Sequence, residues 1–250
     1  MPSPRAVHKV PPLIHQRWRD VSFLHWPVPS DEIQALLPPG LTVDVAEGSG
    51  WVSLTPFSTT CAFMGVPLPG PLRFPETNVR TYVRGPDGRD GLWFLSLDVT
   101  NRSNAVLGRA IQLPYYTARM HVDANDDVHY TGARTAAARY DVVVRPTDEM
   151  AVSPLDVFLT GRWSAYVAAR GRLVRFDVEH EPWPLRRAEV IRVDESMLEA
   201  GGVRRLGQIP LAHFAAGVNA NLAPARLMDG TVTGPERSNR RRRSSATLLR

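Results

Sequence analysis

The chain has 250 residues and a mass of 27.8 kDa, with 43% hydrophobic and 22% charged residues, which excludes wholesale disorder and allows a sizeable core. A single cysteine, Cys61, excludes an internal disulfide framework and a cysteine-rich zinc module. The net charge of +5 resides in residues 235–250, which carry six arginines and one glutamate; the body holds 24 basic and 24 acidic residues, which argues against a nucleic-acid face.

Arginine supplies 29 of the 30 basic residues, and Lys9 is the only lysine. Walker and kinase lysines are therefore absent, and so is a lysine Schiff base unless the N-terminal segment folds inward. Residues 1–14 read as a flexible, proline-bearing leader. They contain no apolar core of signal-peptide length, so a cytoplasmic protein is expected. The longest uncharged stretch, Gly48 to Leu72, holds four prolines and four glycines and cannot be a membrane span.

Residues 15–225 read as one domain without repeat or linker, followed by an arginine-rich, disordered tail over 226–250. Arg17–Val28 reads as a first strand. Ser30 then looks like the cap of a short helix with Ile33, Leu36 and Leu37 on its apolar side, stopped by Pro38-Pro39-Gly40. Leu41–Val45 and Trp51–Phe57 are expected to pair with each other. Asn78–Arg84 and Leu92–Val99 form the clearest hairpin, joined across Gly85-Pro86-Asp87-Gly88. A short helix is expected over Asn104–Ile111. Strands at Tyr115–Val122, Val128–Ala133 and Ala136–Val144 come next, then a helix capped by Ser153. Further strands lie at Ala165–Ala168, Leu173–Val178 and Ala188–Val193. Many strands, few helices and no βαβ alternation predict a mainly β (α+β) protein, with an antiparallel sheet or barrel and short helices outside.

The usual catalytic motifs are missing. No Gly-rich phosphate loop or nucleophile elbow occurs, and His180-Glu181-Pro182-Trp183-Pro184 is broken by proline where a zincin needs a helix. The seven histidines have no ligand spacing, and His121 and His129 read as neighbours of an exposed turn, so neither a metal nor a cofactor is expected. What stands out is the run from Phe74 to Arg84. Asn78, Arg80, Tyr82 and Arg84 share one face and Val79, Thr81 and Val83 the other. That face either meets solvent or lines a barrel interior, where arginine would bind a carboxylate bidentately. Arg19 in the first strand and the pair Tyr115-Tyr116 after Pro114 are further candidates. Of two adjacent tyrosines, one should point inward.

Taken in order, RWRDVSFLHWPV, DEIQALLPPGLTVD, FPETNVRTYV, WFLSLD, LPYYTARM, FLTGRW and HEPWPL resemble the YqjF-like family of uncharacterised bacterial proteins, over roughly residues 15–215. That family is similar in fold to acetoacetate decarboxylase. The resemblance implies a closed, barrel- or cone-like antiparallel sheet around an internal pocket, with a few short outer helices. It also implies site positions. The decarboxylase's lysine follows a proline in a run that resembles Pro114-Tyr115-Tyr116, so Tyr115 stands where the lysine would. Its pocket glutamate resembles Glu76 in Phe74-Pro75-Glu76-Thr77, and its first-strand arginine resembles Arg19. A second pocket glutamate finds no counterpart near Trp51–Leu54.

Tyrosine cannot form the imine that Schiff-base decarboxylation requires. The resulting expectation is a small-molecule enzyme on an oxo or hydroxy carboxylate that is not a true acetoacetate decarboxylase. Glu76 and Tyr115 would be its acid–base groups, and Arg19, Asn78, Arg80, Tyr82 and Tyr116 its ligand-binding residues. A non-catalytic protein that binds or senses a small organic anion is the alternative. A small organic acid is the expected partner in both, and a homo-oligomer stays open.

Overall fold

The computed structural model describes residues 14–63, 66–67, 73–102, 105–106, 113–169, 171–204 and 207–231. Lys9, the leader, the four-arginine run and nearly all of the helix expected over Asn104–Ile111 lie outside the described residues.

Seven strands make a ring. They are β1 (Ile14–Val28), β3 (Gly50–Phe63), β5 (Phe74–Arg84), β6 (Asp90–Val99), β11 (Ser164–Ala169), β12 (Arg172–His180) and β14 (Leu211–Leu222). Their order is β12-β11-β6-β5-β3-β1-β14, and β14 returns to β12 through Val178↔Leu222, Glu179↔Asn221 and His180↔Ala220. All neighbours in the ring are antiparallel except β6 and β11. Closure removes the free edges that an open sheet would expose. The closed, mainly antiparallel sheet expected from the resemblance is therefore what the chain forms.

A second layer continues from β14 through β13 (Leu185–Glu195), β10 (Ala138–Met150), β9 (Val128–Thr135) and β8 (Arg119–Ala124). It curls over the outer face of β1, β3 and β5. The core between them includes Leu24, Trp26, Val52, Leu54 and Val79 from the ring, and Tyr130, Tyr140 and Val142 from the cover. Both faces of the central strands are thus buried, which is why β5 is nearly inaccessible along its length.

Short elements complete the fold: β2 (Thr42–Val43), β4 (Val66–Pro67), β7 (Tyr115–Thr117), β15 (Arg226–Thr231), and helices α1 (Ser30–Gln34), α2 (Pro154–Thr160) and α3 (Met197–Ala200). None of the helices is long and apolar enough to cross a membrane. The β5/β6 hairpin forms as expected, turning at Gly88, whose φ of 72° is in the left-handed region that glycine enters freely. Ser153 caps α2 in a reciprocal box: Asp156 N–H donates to Ser153 Oγ (3.1 Å) and Ser153 N–H to Asp156 Oδ2 (2.8 Å).

Three local expectations need correction. Pro29, not Ser30, is the cap of α1, and no side chain bonds there. The segment around Thr42 pairs with β5 rather than with Trp51–Phe57, because β3 already has β1 and β5 on its two edges. Residues 226–231 pair with β12 as β15, so the tail begins no earlier than 232.

Candidate functional site

The inward face of β5 carries Glu76, Asn78 and Arg80, each under 10% exposed, into a cavity of about 190 Å³ inside the ring. The cavity runs from Ile14 and Leu222, at the ends of β1 and β14, to Arg80 and Arg162 at its floor. Tyr82, the next inward residue, is fully buried beneath that floor. Two β-bulges set which residues look inward. In β1 the inward set is Ile14, Gln16 and Trp18 up to Asp20, whose φ is 49°, and Val21, Phe23 and His25 beyond it. In β6 the bulge beside Leu95 changes the set from Leu92 and Phe94 to Leu97.

Tyr115 enters from β7, which follows Pro114 and pairs in parallel with β6 through Leu97↔Tyr115. Its phenol is hydrogen-bonded to Glu76. Burial pushes the Glu76 carboxyl up to about 8; the Tyr115 bond opposes that shift and the charge of Asp98 adds to it. Burial and the neighbouring Glu76 together hold the Tyr115 phenol well above its ordinary value. At neutral pH this is a protonated acid beside a neutral phenol. Asp98 itself is held in a two-pronged ion pair by Arg134, Nη2 at 2.6 Å and Nε at 3.0 Å.

The floor is cationic. Arg162 follows the C-terminus of α2. It is locked by Nε donating to Phe158 O (2.9 Å) and Nη1 donating to Asp44 Oδ2 (2.7 Å) and Asp90 Oδ2 (3.2 Å). Its Nη2 has no protein partner among the described residues, and neither has Arg80 Nε or Asn78 Oδ1. Arg80 makes no ion pair among the described residues. Its guanidinium lies 5.2 Å from the Phe23 ring centroid and bonds to the Tyr82 phenol. Burial lowers its pKa, yet an arginine stays charged at neutral pH. Two guanidinium groups with buried N–H donors to spare, plus one spare amide oxygen, face the cavity.

Tyr82 is fixed from below by a network with no sequence signature. Its hydroxyl donates to Leu159 O (2.9 Å) and lies 2.5 Å from Ser53 Oγ and 3.0 Å from His25 Nδ1. The His25 ring meets His213 edge-on at 5.2 Å, and His213 Nε2 donates to Asp156 Oδ1 (2.8 Å). Burial holds both histidines below their ordinary pKa.

Of the expected site residues, Glu76, Asn78, Arg80 and Tyr115 converge on the cavity. Three do not. Tyr82 supports the floor from beneath. Arg19 turns away, because the bulge at Asp20 makes the even-numbered residues the inward ones in that half of β1. Its Nη1 instead caps Trp18 O (2.7 Å) and Val218 O (3.0 Å), over Gly217. At Gly217 φ is 144°, and a Cβ would lie 2.1 Å from Trp18 O. Tyr116 is exposed and stacks under Arg134, 3.6 Å from ring to guanidinium. Alternation along β7 permits only one of the two phenols to face in.

Arg162, Trp18, His180 and Trp183 line the cavity as well and were not singled out as site residues. The two tryptophans stack at 5.8 Å, with His180 4.7 Å from Trp183. The only signal was compositional: a Gly-Arg-Trp after a capped helix and a proline-locked corner at His180–Leu185.

The MppR enzyme of enduracididine biosynthesis, in complex with pyruvate, shares this fold at a TM-score of 0.65 and 18% identity, over 90% of this chain and 94% of that one. An acetoacetate decarboxylase from Legionella pneumophila aligns at 0.64 and 12% identity, over 91% and 92%. An acetoacetate decarboxylase-like enzyme from Sphingomonas wittichii RW1 aligns at 0.64 and 14%, over 90% and 98%. The fold is thus one used by enzymes. In sequence, the uncharacterized protein YqjF of Bacillus subtilis is 35% identical over 214 residues, 81% of this chain and 87% of its own. Residues 15–219 match the DUF2071 family of uncharacterized conserved proteins, and the chain belongs to that family.

Proposed function

We propose that the protein is an enzyme that moves a proton next to the carbonyl of a small oxo or hydroxy carboxylate, without a Schiff-base lysine. One observation carries this reading: a carboxyl with its pKa pushed up to about 8 is hydrogen-bonded to a phenol in a cavity floored by two buried arginines. Perturbed carboxyls in closed pockets are what acid–base catalysis needs. Arg80 and Arg162 would hold the substrate carboxylate. The ionised form of Glu76 would take the proton from the carbon beside the carbonyl. The C–H electron pair becomes the C=C bond of the enolate, and the Tyr115 O–H, released from Glu76 as that carboxylate takes the proton, donates to the enolate oxygen. Return of the proton regenerates Glu76. The solved MppR enzyme, which binds pyruvate, supports the substrate class.

The test is solvent deuterium exchange into an oxo acid, followed by NMR. Exchange should rise with pH toward about 8, where Glu76 ionises, and be lost in Glu76→Gln. Borohydride reduction with the same acid should add no mass to a side chain. Exchange that persists in Glu76→Gln, or a reduced adduct on Lys9, would overturn the assignment. Binding without exchange would leave an organic-anion binding protein.

A further inference from the structure

We infer that the cavity selects an oxo acid bearing an aromatic ring, with the ring on Trp18, His180 and Trp183 and the carboxylate on Arg80 and Arg162. The inference rests on the proposed carboxylate site and adds the substrate's other half.

Size is the first argument. An apolar cavity of about 150 Å³ takes a benzene ring, so about 190 Å³ has room for an aromatic ring.

Chemistry is the second. The acid and the arginines that line the cavity lie at its floor and on the Glu76–Tyr115 wall; the opposite wall is aromatic, and the Gln16 amide beside it is bonded to Trp18 and Cys61. Its tryptophan N–H groups are already spent, Trp18 on Gln16 Oε1 (2.6 Å) and Trp183 on Thr160 O (3.1 Å). Those rings therefore offer a ligand only faces and edges. His180 bonds through Nδ1 to Glu181 O (2.6 Å), and burial keeps it neutral by lowering its pKa. A wall of spent donors and neutral rings suits an aryl group and gains nothing from a methyl-sized one.

Position is the third. The Arg80 guanidinium and the Trp183 ring both lie 5.2 Å from the centroid of the same Phe23 ring. The anion site and the aromatic wall are therefore neighbours, which fits a ring joined to the acid through one or two carbons.

The experiment is calorimetric titration of the full-length protein with phenylpyruvate, pyruvate and 3-phenylpropionate. Phenylpyruvate should bind at least tenfold tighter than pyruvate, and 3-phenylpropionate should keep most of that advantage although it has no carbonyl. Trp18→Leu should narrow the phenylpyruvate-to-pyruvate ratio at least threefold. Pyruvate binding as tightly as phenylpyruvate, no binding of either aryl acid, or an unchanged ratio in a folded Trp18→Leu would overturn the inference. The wild-type ratio needs no variant. Failure of the catalytic reading looks different: the ring preference persists while exchange is absent or survives Glu76→Gln. If pyruvate is preferred and exchange depends on Glu76, the catalytic reading stands and the ring preference falls.

Discussion

The two faces of β5 are equally buried and chemically opposite. On the outward face, under the second layer, every polar group is matched: Thr77 Oγ1 lies 2.6 Å from the Tyr140 hydroxyl, and Thr81 donates to Trp51 O at 2.7 Å. On the inward face Asn78 Oδ1 and Arg80 Nε lack protein partners among the described residues, and Glu76 keeps its proton to about pH 8. A buried polar atom without a partner costs about 1–3 kcal/mol. A strand that satisfies one face and leaves the other wanting has its stability on the first and its chemistry on the second. The floor repeats the contrast, since among the described residues Arg162 is paired with two aspartates and Arg80 with none.

That difference should show most in the two arginines. Arg162→Met takes one of two arginine partners from Asp44, which is 5% exposed and keeps only Arg84, and should cost on the order of 1.5–3 kcal/mol in chemical denaturation. Arg80→Met removes an unpaired buried charge and should leave stability unchanged or raised. It should weaken binding of a small organic acid by about 1.5–3 kcal/mol, roughly 10- to 150-fold. Equal destabilisation by both would erase the distinction.

Glu76 gives the next largest effect, through pH. The unfolded chain loses this proton near 4.5 and the folded chain near 8, so the folded state binds more protons between those values. Its stability must therefore fall as pH rises across that window. One pKa unit is worth about 1.4 kcal/mol, so Glu76→Gln should flatten a decline of a few kcal/mol between pH 5 and 8. A decline as steep in the variant would place its cause elsewhere.

The smallest effect belongs to the outward face. Thr81→Val should cost about 1 kcal/mol, the worth of one hydrogen bond, and leave ligand affinity untouched. A loss of affinity there would mean that the two faces are coupled.

Most of this division was legible in the sequence, and the exceptions have physical causes. Strict alternation over Asn78–Arg84 identified the charged face, and the motif around Glu76 added the carboxyl. Neither could tell a lining from a solvent face, because closure depends on three residue pairs between β12 and β14 that are distant in the chain. The second of those strands, LAHFAAGVNANL, is too rich in alanine and glycine to read as a strand by propensity, and small residues are what let Arg19 lie across it. Arg19 itself was misplaced by one bulge, since a slip of one residue exchanges the faces of a strand. Asp20 carries the positive φ with no glycine to mark the spot. Arg162 sits in a short loop, where no periodicity exists to assign it a face.

The account rests on Glu76 being a neutral acid inside the ring. Carbon-13 NMR of its side-chain carboxyl, titrated from pH 4 to 10 and assigned with Glu76→Gln, measures this directly. The midpoint should lie near 8, and Tyr115→Phe should move it higher, because the phenol's hydrogen bond favours the ionised form. A midpoint near the ordinary 4.5, unmoved by Tyr115→Phe, would contradict the site as described.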